Sequence, residues 1–347
     1  MSTKKIKLAI VGLGSIGKKH LEAIKKVQDT QLIAIVDKNV DVTSNLNIKA
    51  NFYHCIKELF KSEELDGVII STPNSSHLEG GLEAIKNNCP LLIEKPVTTS
   101  SKDTLRLIRE SKNNNVDILV GHHRRYNPIM NKAFEIIKNN QIGKVRTVHV
   151  HCQFYKPDQY FKDSEWQKKD GAGPIFVNLI HDLDLMNYLF GDVHTVFAHA
   201  QKSIRGYENE DVSSIILEFK NGILCTMLLS DIVVSPWSWE FTSKENKVYP
   251  LTNETCYFIG GTLGSLSLPN LKIWNYSGEL HWHKPILNKT ISVEFNDPFV
   301  NQIKHFCNII KKKASPIITA EIANKSIKVI EAIKLSSMNK KMIEIKN

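Results

Sequence analysis

The chain has no Cys-x-x-Cys pair. Its six cysteines (Cys55, Cys89, Cys152, Cys225, Cys256 and Cys307) are scattered, a spacing that fits neither a disulfide framework nor a zinc site. They read as small core hydrophobes in a reducing compartment. No apolar run approaches the roughly 18 residues that a bilayer span requires. Near the start, Lys5-Ile6-Lys7-Leu8-Ala9-Ile10-Val11 mimics a secretory leader, but Gly12, Gly14 and Gly17 interrupt it. No small-residue cleavage site follows, so the expectation is a cytoplasmic protein without a membrane partner. An Arg-aromatic stripe is also missing. The formal net charge of +9 is mostly lysine, spread from Lys5 and Lys7 to Lys311-Lys312-Lys313, which reads as a solvated surface without a specific nucleic-acid partner.

What remains is ordinary globular composition, 42% hydrophobic and 23% charged over 347 residues, enough for two domains. Ile6 to Val11 is a β-branched run that feeds directly into Gly12-Leu13-Gly14-Ser15-Ile16-Gly17. In a strand–turn–helix context the first glycine permits a tight turn, the second lets backbone approach a pyrophosphate, and the third lets the helix pack closely. The segment to Val27 reads as that helix, with Ser15 and Ile16 at its opening. A second strand, Gln31 to Val36, ends in Asp37, 20 residues after Gly17, where a carboxylate accepts hydrogen bonds from an adenosine ribose. The same carboxylate repels a 2′-phosphate, which favours NAD; Lys38 softens that preference and leaves NADP open.

The alternation continues with a helix near Ile56 to Lys61, a strand Gly67 to Ser71, a helix Ser76 to Asn87, a strand Pro90 to Glu94, a helix Ser101 to Asn113 and a strand Val116 to Gly121. Repeated βα units predict a doubly wound parallel sheet over residues 1–122. Ligands of such sheets bind outside the carboxyl ends of the strands, and three strand ends are rich in chemistry. Ser71-Thr72-Pro73-Asn74 with His77 reads both as a helix entry, capped by Ser75 or Ser76, and as a cofactor-contact loop. Glu94-Lys95-Pro96 ends a buried run in an acid, an ammonium and a ring-locked residue. Gly121-His122-His123-Arg124-Arg125-Tyr126 closes the region, with His123 and Arg124 on the cofactor side of the expected crevice.

Residues 123–347 follow another pattern. After a helix from Pro128 to Asn139, strands are expected at Val145 to Phe154, Val193 to Ala200, Val212 to Phe219 and Ile223 to Ser230. Weaker strand candidates lie at Thr255 to Ile259, Gly264 to Leu268, Leu271 to Asn275 and Ile291 to Phe295. A large, mostly antiparallel sheet covered on one face by helices suits this set, and it makes an α+β second domain. Between the first two strands, Pro174 starts a helix that Gly191 stops. On it Asn178 and His181 share a face, while Leu179, Leu183, Met186 and Leu189 make a core stripe. His281 and His283 alternate on a possible strand, with no third metal ligand in the sequence.

Taken together, the glycine turn, Glu94-Lys95-Pro96 and the glycine-rich entry to a helix bearing His181-Asp182-x-Asp184 resemble the glucose-fructose oxidoreductase/inositol dehydrogenase/MocA (Gfo/Idh/MocA) family. The resemblance extends through Ile318-Thr319-Ala320-Glu321-Ile322-Ala323 and covers essentially the whole chain. It implies an N-terminal Rossmann domain and a C-terminal domain whose open sheet makes homodimers or homotetramers. It also implies NAD(P)-dependent oxidation of sugars or cyclic polyols, a catalytic centre containing Lys95 and His181, and a cis Lys95–Pro96 bond. On this reading His181 acts as general base and Lys95 stabilises the alkoxide, while Asn178 with Tyr126 or Arg125 orients neighbouring hydroxyls. Tyr160 and Trp166, with Tyr155, offer a stacking surface for a sugar ring. The chain departs from the family where dehydrogenases place Asp four residues before the histidine: here stands Val177, and the amide of Asn178 beside it cannot accept a proton as a carboxylate does. Two other activities of the fold therefore stay open, NAD-dependent glycoside cleavage and non-catalytic dinucleotide sensing. Arg124, Arg125, Lys156, Lys168 and Lys169 would permit a phosphorylated or carboxylated sugar.

Overall fold

Short runs of β-branched residues, bounded by glycine, proline and asparagine, build two separate sheets in the computed structural model, which describes residues 5–43, 48–163 and 165–346. The chain divides into two compact units, Met1–Tyr126 with Asn296–Ile327, and Asn127–Phe295 with Lys328–Asn347. Residues 296–327 return to the first unit: the helix Pro298–Ile310 packs on residues of that unit and Val120 N–H donates to Ile318 O at 2.9 Å.

The first unit holds β1 (Ile6–Val11), β2 (Thr30–Val36), β3 (Asn51–Tyr53), β4 (Gly67–Ile70), β5 (Leu91–Ile93) and β6 (Ile118–Val120). They pair in parallel in the order β3-β2-β1-β4-β5-β6. The strand order reverses between β1 and β4, and such a switch point opens a ligand crevice at the carboxyl edge. Leu8 to Ile10, Val68 to Ile70 and Leu91 to Ile93 are fully buried, which explains strands that read as unbroken apolar runs. Each large side chain so buried contributes roughly 1.5–3 kcal/mol. Helices α1 (Ser15–Lys26), α2 (Ile56–Ser62), α3 (His77–Lys86) and α4 (Ser101–Asn114) connect the strands. Ser100 caps α4, its Oγ accepting from Asp103 N–H at 3.1 Å, and Asn115 ends it in the left-handed conformation. Both are the residue types that helix ends select.

Among its described residues the second unit carries nine strands: β7 (Val145–Gln153), β8 (Val193–Lys202), β9 (Glu210–Phe219), β10 (Leu224–Ser230), β11 (Tyr257–Gly261), β12 (Gly264–Leu268), β13 (Lys272–Asn275), β14 (Leu287–Thr290) and β15 (Ile343–Glu344). Their order is β14-β13-β12-β11-β7-β10-β9-β8-β15, antiparallel except for the β10–β7 pair. Helix α5 (Pro128–Lys138) packs on β12 and on a helix of this unit's buried layer; Asn127 caps it and Pro128 opens it. The opposite face of the sheet is exposed. Across it runs a row of directly paired residues, Phe197–Ile216–Thr226–His149–Phe258, one from each of five strands.

Several local expectations are corrected. Ile291 to Phe295 is not a strand; Leu287–Thr290 pairs with β13 instead, and Asp297 behind it caps the helix Pro298–Ile310. His281 and His283 lie in a turn rather than on a strand, where His283 N–H donates to His281 Nδ1 at 3.2 Å. A short helix, α6 (Asp158–Lys162), was not anticipated. The helix expected from Pro174 is two, α7 (Pro174–Val177) and α8 (Leu179–Phe190), with Asn178 between them at φ −102° and ψ −54°.

Candidate active site

The glycine turn is built as its spacing requires. Gly12 has φ +91°, and a Cβ there would come within 2.7 Å of Ser71 O, so side chains are excluded twice over. A Cβ on Gly17 would collide with Gly12 O, whereas one on Gly14 would meet nothing within 4 Å. Gly14 faces open space because a cavity of about 1150 Å³ begins there. The N-terminus of α1 has no side-chain cap and no acid in its first turn, leaving its amides for an anion.

Gly12, Gly14, Ser15 and Ile16 line this cavity, as do Asp37 and Lys38 after β2 and Ser71, Thr72 and Pro73 after β4. Asp37 is oriented by backbone: Leu13 N–H donates to Oδ2 at 2.8 Å and Asn39 N–H to Oδ1 at 3.0 Å. A carboxylate oxygen has a second lone pair, which keeps acceptor capacity for ribose hydroxyls. The far end of the cavity is lined by His54, Cys55, Lys57, Glu79 and Glu83, none of them anticipated. His54 and Cys55 join the three-residue strand β3 to α2, whose first turn carries Lys57, and no glycine marks the place. Volume, open glycine and oriented carboxylate together fit a dinucleotide.

The other expected cofactor residues of this unit lie outside the cavity lining. His77 is buried, with Nδ1 at 2.7 Å from Pro96 O and Nε2 at 2.9 Å from Thr72 O. It thereby ties the loop after β4 to the turn after β5; burial lowers its pKa, against the pull of the two carbonyls. Asn74 opens the short helical turn before α3. The Lys95–Pro96 bond is cis. Lys95 is half-buried, and its N–H donates to Glu94 Oε2 at 3.1 Å.

Glu94 itself points inward, where His20 Nε2 lies 2.7 Å from Oε1. Burial pushes this carboxyl up, but the His20 hydrogen bond and the charges of His20, His123 and Lys95 outweigh it and bring the pKa down to about 2. His123 stacks on Phe299 with centroids 4.5 Å apart, and His20 meets the same ring edge-on. Arg124, Arg125 and Tyr126 are buried rather than surface residues, and the Tyr126 hydroxyl lies 2.7 Å from His305 Nδ1.

In the second unit the glycine-rich entry is shaped by Glu210. Its carboxylate accepts Ile175 N–H at 2.8 Å and fills the space that a Cβ on Gly173 would need. Burial raises its pKa, while the Ile175 amide opposes the rise. Asn178 joins α7 to α8 and His181 lies in the first turn of α8, where its N–H donates to Asn178 O at 3.2 Å. His181 is 8% exposed. The next residue, Asp182, accepts a short hydrogen bond from the hydroxyl of Tyr257 on β11. Tyr160 lies near this turn through Lys156, whose Nζ donates to Asn178 Oδ1 at 2.8 Å and sits 5.1 Å from the Tyr160 ring centroid. Trp166 is half exposed and is not among these contacts. The sequence marks Lys156 only as one cation of several; its partners are remote in the chain.

Two comparisons identify the class. Residues 6–122 match the family described as "Oxidoreductase family, NAD-binding Rossmann fold", and residues 135–345 match "Oxidoreductase family, C-terminal alpha/beta domain". The chain belongs to this Gfo/Idh/MocA family and is an NAD-dependent oxidoreductase. It is 26% identical to Oxidoreductase P35 of Formosa agariphila, over 83% of this chain and 90% of that protein. With the scyllo-inositol 2-dehydrogenase (NAD(+)) of Bacillus subtilis it shares 24% identity over 90% of this chain and 89% of that one. Among solved structures, the WlbA dehydrogenase of Bordetella pertussis in complex with NADH and UDP-GlcNAcA superposes with a TM-score of 0.80 at 20% identity, covering 99% of this chain and 100% of that chain.

Proposed function

We propose that the enzyme oxidises a hydroxyl-bearing carbon of a sugar, sugar derivative or cyclic polyol, or reduces the corresponding carbonyl, with Lys95 and His181 in the catalytic centre. The observation that carries this reading is the fixing of Lys95 at the carboxyl edge of the parallel sheet, its N–H held by a carboxylate that is itself locked on His20. A strand end so anchored holds an ammonium in place. When bound, NAD supplies the hydride acceptor. His181 takes the hydroxyl proton as general base. Lys95 donates a hydrogen bond to the same oxygen and stabilises the charge that develops there.

Asn178 and Tyr160 orient the rest of the substrate. Arg125, Tyr126 and Trp166 are weaker candidates, since the Tyr126 hydroxyl is spent on His305 and Trp166 stands apart from the Asn178 turn. Val177 leaves the site without a carboxylate four residues before the histidine, so proton transfer falls to His181 itself. Inositol dehydrogenases among the relatives support a CH–OH substrate.

The test is NADH absorbance with a panel of inositols, aldoses and sugar acids, run with NAD and NADP in parallel. NADH formation with at least one member, abolished in Lys95→Met and His181→Asn, is the expected result. Turnover by those variants within a few-fold of wild type would remove both residues from the reaction. The row Phe197–Ile216–Thr226–His149–Phe258, with Leu224 also exposed, is the face through which the chain forms homodimers or homotetramers. Free thiols at all six cysteines suit a cytoplasmic enzyme, and among the described residues no helix is long and apolar enough to cross a membrane.

A further inference from the structure

An ammonium group has only donors to offer, so the Asn178 atom that faces Lys156 Nζ at 2.8 Å is the carbonyl oxygen. That contact fixes the amide: Asn178 presents its NH2 group to anything that binds beside it. Lys156 is 5% exposed, and its second partner is Asp231 Oδ2 at 3.2 Å. Of its three N–H bonds, one remains. Asp231 is also shared with Arg205, whose Nη1 lies 3.0 Å from Oδ1 and whose Nη2 donates to the carbonyls of Lys156 and Asp231.

Among the described residues no other carboxylate lies within ion-pair distance of either cation. Asp211 accepts Ile204 N–H through Oδ2 and keeps Oδ1 buried without a partner among the described residues, and Glu210 accepts Ile175 N–H. Arg205 Nε is buried with no acceptor among the described residues. Two buried cations therefore hold one carboxylate between them in ion-pair contact, and Lys156 keeps an N–H beyond its contacts with Asn178 and Asp231.

From this we infer that Lys156 and the Asn178 amide form an anion-recognising subsite, which receives a carboxylate or phosphate group of the substrate and makes that substrate an acidic sugar or polyol. This rests on the reading of the Asn178–His181 turn as substrate-facing and deepens it. A neutral hydroxyl gains less at the same place, because it brings no charge for the ammonium to meet. Tyr160, held up at about 12 by burial and by Asp231, stays protonated and adds another donor. Selectivity thus comes from an attractive charge and from donors that converge on one place.

The experiment uses the full chain with NAD and matched probes: glucose, glucuronate and glucose 6-phosphate, with inositol and inositol monophosphate as a second set. NADH formation gives kcat/KM, and calorimetry on the NAD-loaded protein gives Kd. The acidic member of a set is expected to be favoured by about 100-fold, with the uronate and phosphate arms telling which anion is recognised. In Lys156→Met that ratio falls to near one, while Lys156→Arg keeps part of it; melting temperature and NADH affinity report whether each variant is folded. If Lys156→Met does not fold, Asn178→Asp serves instead, since a carboxylate beside Lys156 neutralises the subsite and reverses the preference.

A wild-type preference for the neutral members overturns the inference, as does a Lys156→Met variant that lowers both members equally or a failure of every acidic probe to bind. Acid-selective binding without NADH formation would leave the subsite standing and remove the oxidoreductase reading. Oxidation of neutral sugars without acid preference would do the reverse.

Discussion

His20 on α1 and Glu94 at the end of β5 meet at 2.7 Å, the ring wholly buried and the carboxylate almost so. Because the folded carboxyl titrates at about 2 rather than at its ordinary 4.5, the stability it contributes is present above pH 4.5 and is lost as the pH falls through that window toward 2.

His20→Ala removes the largest counterweight to burial, so the Glu94 pKa rises. Breaking such a buried pair costs on the order of 3–5 kcal/mol. The deficit against wild type should be widest at neutral pH and narrow as the pH drops below 4.5. Urea midpoints at pH 7 and pH 3.5 measure it; a deficit independent of pH would show that His20 acts by packing on Phe299 alone.

Two glycines of one turn should part company. Gly12→Ala combines a positive φ with a collision at Ser71, and is expected to destabilise by about 1–3 kcal/mol or to prevent folding. Gly14→Ala has φ −67° and free space, so stability should stay within about 0.5 kcal/mol. The added methyl instead obstructs the pyrophosphate, raising the NADH Kd about tenfold or more. Thermal melts with NADH titrations separate the two effects.

Asp37→Ser tests dinucleotide choice. With the carboxylate gone, Lys38 remains beside a 2′-phosphate, and the NAD-to-NADP ratio of kcat/KM should fall by about 10- to 100-fold, equivalent to roughly 1.4–3 kcal/mol. Some lost stability is expected too, because the Leu13 and Asn39 amides lose an acceptor.

For the chemical step, His181→Asn should lower kcat by about 10²- to 10⁴-fold, the range of general acid–base catalysis. NADH should still bind, since the glycine turn and its cavity belong to the other unit. A fall in NADH affinity matching the fall in kcat would point to misfolding instead.

The row on the open sheet face predicts a change of mass. Phe258→Glu places a charge at the end of five paired residues, and light scattering should report a smaller species than wild type at equal concentration. An unchanged mass would move self-association elsewhere.

Much of the first unit could be read because its strands are apolar runs closed by glycine, proline or asparagine, and periodicity rests on local composition. β3 escaped notice because Asn51, Phe52 and Tyr53 form only three partly exposed pairs with β2. Ile291 to Phe295 alternates like a strand, yet the chain spends those residues reaching the cap at Asp297. The break at Asn178 carries no glycine or proline of its own. Partners escaped most completely: His20 lies 74 residues from Glu94 and Lys156 lies 49 from Arg205, distances over which local patterning carries no information.

Strand β11 gives the pleat a further meaning. Tyr257 turns inward to hold Asp182, the neighbour of His181, while Phe258, one residue on, turns outward into the row on the open face. The proposed self-association face and the support of the proposed general base therefore fall on adjacent residues of one strand. A slip of a single position in the pairing of β11 would exchange the two, sending the tyrosine to solvent and the phenylalanine to an aspartate it cannot satisfy. Contacts through the proposed face would hold this strand in register and at the same time protect the helix of His181, so Phe258→Glu should loosen the turn at Asn178 before it unfolds the sheet.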